Sequence, residues 1–390
     1  MPNQKKQNTI WTVILIGSIV FACVCSGFLI SGIKSNLPAQ PEPTEPPAPT
    51  EPLQAAIMDT YDDLVAVALE EAYEAANDVT KVFWIADDAL VAPVPNATSY
   101  GETNDPSSLQ WLLDEAATVL DGQTPVFHTD VEIVPYSTVN YYLDDSIFVV
   151  AWQEIRDNYV YTFAEIKVTH PSQFRRYLGN HAYDSGYINS TTRMANSVNA
   201  VVASSADFYL GRNHGIIVYE GIVRRTNYSE LVDTCFVDQN GDLILVPAGE
   251  LITMEEAQAF VDEHEIEFSL AFGPILVQDG VRCDPQSYYL GEINENYPRA
   301  ALCQMDQLHY VVVTSNKLYS YDDSPTIRTF TNHIAALGPK YAYTLDGGQT
   351  ATISMNGQAV NPRPNGERWI SDIIYWGSAI PNEPAENTEP

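Results

Sequence analysis

The chain has 390 residues, of which 45% are hydrophobic, and a formal net charge of −32 from 51 acidic and 19 basic residues. This length allows one large or two ordinary domains, and the hydrophobic fraction is enough for a sizeable core, which excludes a disordered protein. Binding to a nucleic-acid backbone needs clustered Lys and Arg, so the charge argues against a nucleic-acid partner. An anionic ligand would have to be held by a few locally placed arginines.

The N-terminal residues predict a membrane anchor followed by a spacer. Residues 10–33 contain no charged side chain and are numerous enough to cross a bilayer as one helix. Lys5 and Lys6 precede this run, so the positive-inside rule places the tail 1–9 in the cytoplasm and the C-terminal part outside the cell. Residues 34–54 are rich in Pro, Glu and Thr and predict an extended linker. A cleaved signal peptide is the alternative, although the apolar run continues past the candidate cleavage site at Cys23.

Strands and helices follow in an irregular order after the linker. This order predicts an α+β fold with a mixed sheet and flanking helices, in an ectodomain preceded by one transmembrane helix. We divide it into an N-terminal lobe, 55–150, a main domain, 151–378, and a flexible tail, 379–390. The predicted helices are 55–77, 109–120, 172–178, 254–264 and 329–337. The predicted strands include 82–85, 131–134, 147–152, 160–168, 216–223, 235–237, 243–246, 310–313 and 341–345.

The cysteines predict neither a zinc site nor a dense disulfide framework. Cys235, Cys283 and Cys303 lie beyond the anchor, and they are compatible with one disulfide and a free thiol or with three reduced side chains. There is no Cys-x-x-Cys motif, no Walker loop and no dinucleotide-binding glycine pattern. We therefore assign no cofactor and no metal ligand, while metal dependence stays open.

One loop combines a carboxylate with two glycines at the end of a strand. Residues 341–345 predict a short buried strand that ends at Asp346, and Gly347 and Gly348 let a ligand or another backbone segment approach closely. Thr350 adds a hydroxyl before the chain enters an alternating strand. The structural alternative is a turn in which Asp346 merely accepts hydrogen bonds from backbone N–H groups.

Three further stretches place a polar side chain at a strand end beside glycine or proline. They are residues 206–212, residues 272–277 with the following turn Asp279-Gly280, and residues 297–301. The first contains Asp207 and Arg212, and the third contains Arg299 and leads to His309 in a valine-rich strand. Together with the Asp346 loop, these stretches supply two candidate carboxylates and two arginines, which come from three of the four stretches.

In this order, the four stretches resemble the phosphodiester glycosidase family. The resemblance covers roughly residues 162–375 and includes 174–176 upstream and 368–372 downstream. It implies a glycosidase that acts on a sugar linked through phosphate. The leaving phosphate monoester is stable, so this reaction needs less general-acid help than an ordinary glycoside does.

The resemblance and this chemistry together predict the site residues. Asp207 and Asp346 are the candidate catalytic carboxylates, and Arg299 is the candidate catalytic cation, with Arg299 or Arg212 binding phosphate. The candidate substrate-binding residues are Arg212, His309, Gly347, Gly348 and Thr350. Alternatively, both carboxylates stabilise turns, Arg299 forms a structural ion pair and His309 is a core histidine.

Several positions depart from the family's pattern, and they leave two hypotheses. Ser205-Ala206 precedes Asp207 where relatives have Asn-Gly, Ala300 follows Arg299 where they have Thr, and Gln349 follows Gly348 where they have a third glycine. The first hypothesis is a membrane-anchored extracytoplasmic hydrolase of glycosyl phosphodiesters, in cell-envelope or exopolysaccharide metabolism. The second is a catalytically inactive surface protein of the same fold that binds carbohydrate or envelope polymer.

Overall fold

The computed structural model describes residues 83–285, 295–316, 324–362 and 366–381, all of which fall within one compact unit. The predicted anchor at 10–33, the linker and the predicted helix 55–77 lie outside the described residues. Among the residues described, no helix is both long enough and apolar enough to cross a membrane.

Antiparallel strands dominate the part of the chain that the structure describes. In chain order they are β1 Tyr100–Thr103, β2 Val139–Asp144, β3 Ile147–Arg156, β4 Tyr159–Val168, β5 Phe174–Leu178, β6 Val202–Ser205, β7 Ile217–Tyr219, β8 Ile222–Arg225, β9 Thr234–Asp238, β10 Leu243–Val246, β11 Ile266–Leu270, β12 Ile275–Gln278, β13 Val281–Arg282, β14 Arg299–Asp306, β15 His309–Asn316, β16 Tyr341–Leu345, β17 Ile353–Met355, β18 Gln358–Ala359 and β19 Asp372–Trp376. The α-helices are Gln110–Glu115, Ala117–Leu120, Thr191–Ser197, Met254–His264 and Ile327–Ala335. The predicted α+β class is confirmed.

These strands form three sheets. The largest has nine strands in the order β1-β2-β3-β4-β15-β14-β16-β12-β13, and two five-stranded sheets have the orders β10-β9-β11-β7-β8 and β18-β17-β6-β19-β5. Strand β3 crosses the predicted boundary at residue 150, and strands from both sides of that residue pair in the largest sheet.

The prediction of a mixed sheet is wrong for the described strands, since all their neighbouring pairs run antiparallel. Short turns explain this arrangement. Asp157 and Asn158 connect β3 to β4 with positive φ values of 49° and 67°, as a tight hairpin requires. Such connections reverse the chain, whereas parallel neighbours need a long crossover.

The hydrophobic core lies on both faces of the nine-stranded sheet. One face packs against the two smaller sheets through large side chains such as Phe174, Tyr310 and Trp376. The other face is covered by the helices Gln110–Glu115, Ala117–Leu120 and Ile327–Ala335. The strand ends that meet at the boundary between sheets are therefore held by packing from several directions.

Two local predictions agree closely with the structure. The helix Met254–His264 begins at Thr253, which forms a capping box with Glu256, and β16 spans the predicted residues 341–345. The predicted helix 109–120 is divided into Gln110–Glu115 and Ala117–Leu120, and before them the Asp105 carboxylate accepts a hydrogen bond from Ser107 N.

Three other local predictions are wrong. Residues 174–178 form β5 instead of a helix, because they pair along their whole length with β19, and this tertiary pairing overrides local propensity. Residues 83–85 and 131–134 are not in strands. Neither apolar run finds a strand partner in the described sheets.

The three cysteines beyond the predicted anchor are not in disulfides. Cys235 and Cys303 are buried and Cys283 is half-buried. Burial raises the pKa of the Cys235 and Cys303 thiols, so both stay protonated in the core.

Candidate functional site

The ends of β6, β16 and β19 meet where the nine-stranded sheet borders one of the smaller sheets. Asp207 follows β6, Asp346 follows β16 and Asp372 is the first residue of β19. The backbone joins them directly, because Asp346 N donates a hydrogen bond of 2.8 Å to Ala206 O. Strand pairing therefore brings together three carboxylates that are far apart in sequence.

Beneath the surface, one arginine lies between two of these carboxylates. Arg176 Nη2 donates hydrogen bonds to Asp207 Oδ1 at 2.6 Å and to Asp372 Oδ2 at 2.7 Å. All three side chains have 0% exposure. Asp207 Oδ2 also accepts a hydrogen bond of 2.7 Å from Ala271 N, and Ser371 Oγ donates to Asp372 Oδ1 at 2.8 Å. Asp207 is thus shielded from solvent and fixes two loops in place.

The protonation of this cluster is set by burial and by mutual charges. Burial raises the pKa of Asp207, with Arg176 opposing the rise and Asp372 adding to it. Burial disfavours the charged form of Arg176, but the two neighbouring carboxylates outweigh it and raise the pKa of Arg176 overall. A cation shared by two carboxylates is the arrangement that keeps a buried arginine charged.

Asp346 is the carboxylate that reaches the surface. Its side chain is 10% exposed and accepts a hydrogen bond of 2.9 Å from Arg368 Nη2, a guanidinium on a side chain that is 46% exposed. Burial raises the pKa of Asp346 to about 6, while Arg368, a hydrogen bond from Thr350 and the charge of Arg212 lower it. Asp346 therefore titrates close to neutral pH, as groups that exchange protons in catalysis often do.

Two arginines near Asp346 each lie over a phenylalanine ring. The guanidinium carbon of Arg368 is 5.0 Å from the centre of the Phe208 ring, and that of Arg212 is 4.0 Å from the centre of the Phe272 ring. An aromatic face attracts a cation and supports its planar guanidinium group. The site thus combines one carboxylate near the surface with two oriented cations.

The glycines after Asp346 allow the loop to lie against the chain before β14. Gly348 N donates a hydrogen bond of 2.7 Å to Pro298 O, and a Cβ atom at Gly347 would lie 2.5 Å from the same oxygen. Thr350 is buried, and its hydroxyl donates to Gly347 O at 2.5 Å. The close approach of the Pro298 backbone explains why residue 347 is glycine. The sequence predicts close approach of either a ligand or another backbone segment, and the structure shows a backbone segment.

Arg299 begins β14 next to this loop. It is 7% exposed, its Nη2 donates to Glu295 O at 2.6 Å, and its guanidinium carbon is 5.9 Å from the centre of the Tyr297 ring. Its backbone is adjacent to Gly347, because Ala300 pairs with Leu345 in the β14–β16 ladder. Arg299 thus lies on the border of the site.

His309 does not belong to this cluster. It pairs with Asp306 at the far end of β14, seven residues from Arg299, which places it about 20 Å from the Asp346 loop. Its Nε2 is 2.8 Å from Glu165 Oε1, and the Glu165 carboxylate also accepts hydrogen bonds from Val126 N and Phe127 N. His309 is a buried histidine that links β15 to the segment after the N-terminal helices.

The prediction of site residues omitted Arg176, Arg368 and Asp372. All three lie in the short stretches 174–176 and 368–372 that contribute to the family resemblance. For Arg176 and Asp372 the signal is a charged residue inside an otherwise apolar strand, which requires a partner of opposite charge. Arg368 lies outside the strands and carries no such signal. Within the described ranges, no group of three or more His, Cys, Asp or Glu side chains is arranged to hold a metal ion.

Residues 196–376 match the family model described as phosphodiester glycosidase. This segment belongs to that family. The phosphodiester glycosidase segment contains Asp207, Arg212, Arg299, Asp346 and Arg368. It overlaps the range over which the sequence resembles the family, begins later than that range and ends at almost the same residue. A search of curated proteins found no match.

Three solved structures are similar to this chain. A hypothetical protein from Synechocystis is 12% identical, with a TM-score of 0.45, and the match covers 64% of each chain, slightly under two thirds of its length. The catalytic domain of zebrafish N-acetylglucosamine-1-phosphodiester alpha-N-acetylglucosaminidase is 14% identical, with a TM-score of 0.48 and coverage of 64% of this chain and 85% of that one. A putative exported protein from Burkholderia pseudomallei is 12% identical, with a TM-score of 0.38 and coverage of 58% and 74%.

Proposed function

We propose that the chain hydrolyses glycosyl phosphodiesters by breaking the bond between the sugar C1 and the phosphate oxygen. The observation that supports this most directly is the Asp346 carboxylate, whose side chain is 10% exposed, beside two cations, Arg368 and Arg212. The membership of residues 196–376 in the phosphodiester glycosidase family supports the same reaction.

The charges match the demands of this bond cleavage. As the C1–O bond breaks, its electron pair goes to the phosphate oxygen and positive charge develops on the sugar ring. Arg212 and Arg368 stabilise the departing phosphate monoester, and the Asp346 carboxylate faces the sugar. Water supplies the new C1–O bond and its proton passes to a base, a role that Asp346 can take as a carboxylate. The alternative role for Asp346 is that of nucleophile.

Asp207 takes a different role from the one predicted. Its carboxylate is fully buried and accepts hydrogen bonds from Arg176 and Ala271 N, so it does not contact the substrate. It positions the loops that carry Phe208 and Phe272. A single accessible carboxylate is sufficient where the leaving group is phosphate, because protonation of that group contributes little.

The test is hydrolysis of sugar-1-phosphodiesters such as UDP-GlcNAc by the purified full-length chain. Wild type should release free sugar, and Asp346→Asn should lower turnover by about 100-fold or more. Asp121→Asn is the matched control, because Asp121 ends the helix Ala117–Leu120 with a left-handed φ of 50° that asparagine adopts readily. Equal turnover by Asp346→Asn and wild type would contradict the proposal.

The second candidate function is binding of carbohydrate or envelope polymer without catalysis. It is favoured by the complete burial of Asp207, which leaves Asp346, with a side chain that is 10% exposed, as the more accessible of the two predicted carboxylates. Retention of polymer by a wild-type protein that releases no sugar from any phosphodiester would support it.

We also propose that residues 10–33 anchor the chain in the cell membrane with the folded part outside, where the substrate is an envelope or exopolysaccharide component. The uncharged apolar run and the preceding Lys5 and Lys6 support this orientation. Alkaline extraction of membranes from expressing cells is the test. The full chain should stay in the pellet, and a chain lacking 10–33 should not.

A further inference from the structure

Phe208 has an unusual backbone conformation directly beside the site. Its φ is +52°, in the left-handed region that bulky side chains rarely occupy. Hydrogen bonds fix the chain before and after Phe208. The preceding Asp207 accepts one from Arg176, and Gly211 N donates one of 2.9 Å to Phe208 O. Strained residues of this kind concentrate at functional sites, where the surrounding structure maintains them.

The Phe208 ring needs space that only glycine at position 211 leaves. A Cβ atom on Gly211 would lie 2.0 Å from the ring carbon Cε1 and 2.4 Å from Cδ1. Any other residue at 211 would push the ring away from its present place. The left-handed backbone and the missing side chain therefore act together to set the ring's position.

The ring in turn lies beneath the guanidinium that contacts Asp346. The 5.0 Å separation between the Arg368 guanidinium carbon and the ring centre is within the range of a cation–π interaction. Nearly half of the Arg368 side chain is exposed, and an exposed arginine otherwise samples many rotamers. The Phe208 face and the Asp346 carboxylate together restrict it to one orientation.

We propose that Phe208, with Gly211, is a positioning residue that holds Arg368 against Asp346. The proposal rests on the proposed function for its effect on turnover, but its effect on Asp346 is measurable in an inactive protein. Arg368 stabilises the ionised form of Asp346, so a displaced guanidinium leaves that carboxylate easier to protonate.

The experiment compares Phe208→Leu with Phe208→Tyr. Leucine is a large apolar side chain without an aromatic face, and tyrosine retains the face. Phe260→Leu is the matched control, because Phe260 packs against Phe236 and His264 on the helix Met254–His264. The readout is the pKa of Asp346 from 13C NMR titration of the carboxyl carbon, which Asp346→Asn assigns.

The pKa of Asp346 should rise by about half a unit in Phe208→Leu. It should stay at the wild-type value in Phe208→Tyr and in Phe260→Leu. With a phosphodiester substrate, kcat/KM of Phe208→Leu should fall about tenfold at neutral pH, and the acidic limb of its pH profile should move to higher pH by the same half unit.

Gly211→Ala gives an independent route if Phe208→Leu does not fold, and it should shift the titration in the same direction. An unchanged pKa of Asp346 in folded Phe208→Leu or Gly211→Ala would overturn the proposal, as would an equal shift in Phe260→Leu. If wild type hydrolyses no phosphodiester, the proposed function fails while the NMR comparison still decides the role of Phe208.

Discussion

The peptide nitrogen of Gly348 donates a 2.7 Å hydrogen bond to the carbonyl oxygen of Pro298, which fastens the loop after Asp346 to the start of β14. This contact requires that Gly347 have no side chain, because a Cβ there would lie 2.5 Å from the same oxygen. The position of the Asp346 carboxylate thus depends on backbone packing in an adjacent loop.

Gly347→Ala should therefore destabilise the fold and displace Asp346. Overpacking of this kind costs about 1–3 kcal/mol of unfolding free energy. Chemical denaturation measures that cost, and the hydrolysis assay should show a parallel loss. Gly280→Ala is the control, since its φ of +73° brings backbone strain but no atom lies within 4 Å of the added Cβ. A larger loss of phosphodiester hydrolysis in the control would contradict this explanation.

The pKa of Asp346 predicts how its contribution to stability depends on pH. The folded-state pKa of about 6 is above 3.8, the ordinary value of an aspartate side chain, so the folded protein holds this proton more tightly than the unfolded chain does. Its contribution to stability is greatest below pH 4 and is lost as the pH rises through 6. Between pH 4 and 7, Asp346→Asn should gain about 2–3 kcal/mol relative to wild type. Urea denaturation at several pH values measures this difference, and a difference independent of pH would refute the assignment.

The buried cluster around Arg176 should be far more sensitive to substitution than a partly exposed ion pair. Arg176→Met leaves Asp207 and Asp372 buried without their cation and should cost about 3–5 kcal/mol. Arg156→Met is the matched control, because Arg156 forms a 2.9 Å pair with Glu154 in which both side chains are partly exposed. The control should lose about 1 kcal/mol or less. Equal losses of unfolding free energy in the two variants would contradict the role assigned to the cluster.

His309→Gln should separate stability from catalysis. Glutamine cannot reproduce both ring contacts of His309, with Glu165 at 2.8 Å and Gln123 at 3.1 Å, so the variant should lose about 1–2 kcal/mol of unfolding free energy. Because His309 lies at the opposite end of β14 from the Asp346 loop, kcat and KM should equal those of wild type. Stability is measured by denaturation and activity with a sugar-1-phosphodiester. A tenfold change in KM would place His309 at the substrate.

The arginines should differ in their effect on phosphodiester hydrolysis. Arg212→Met and Arg368→Met each remove a cation that acts on Asp346, and kcat/KM should fall about tenfold or more in each. Arg299→Met should have the smaller effect, since the Arg299 guanidinium donates to the backbone oxygen of Glu295. Steady-state kinetics on the three variants measures the order. A larger loss of kcat/KM in Arg299→Met than in the other two variants would indicate that Arg299 binds the phosphate.

Local patterns predict the parts of this protein whose structure is set by neighbouring residues. The helix Met254–His264 has its own capping box, and β16 ends at Leu345, directly before Asp346 and its Gly-Gly loop, so both follow from residues adjacent in sequence. The segment 174–178 differs in this respect. It becomes a strand because it pairs with β19, and no local pattern encodes a partner that lies almost 200 residues away.

The same distinction separates the site residues. The loop of Asp346 has a recognisable sequence that predicts a site, whereas the importance of Arg368 comes from a contact with a residue 22 positions away. Asp207 was found, but its burial depends on Arg176 and Asp372, which arrive from two other strands. His309 follows Arg299 by only ten residues in sequence. The antiparallel register of β14 and β15 shows that the length of β14 separates them in space, because His309 pairs with Asp306.

The pairing of β19 with β5 and β6 also determines when this site can first exist during synthesis. Asp372, the partner of Arg176, is synthesised 196 residues after it. Every nascent chain that ends before β19 therefore carries a charged arginine and a carboxylate without the strand that buries them. Folding dominated by such distant contacts is slow, so the whole segment should remain a substrate for chaperones until its last strand emerges.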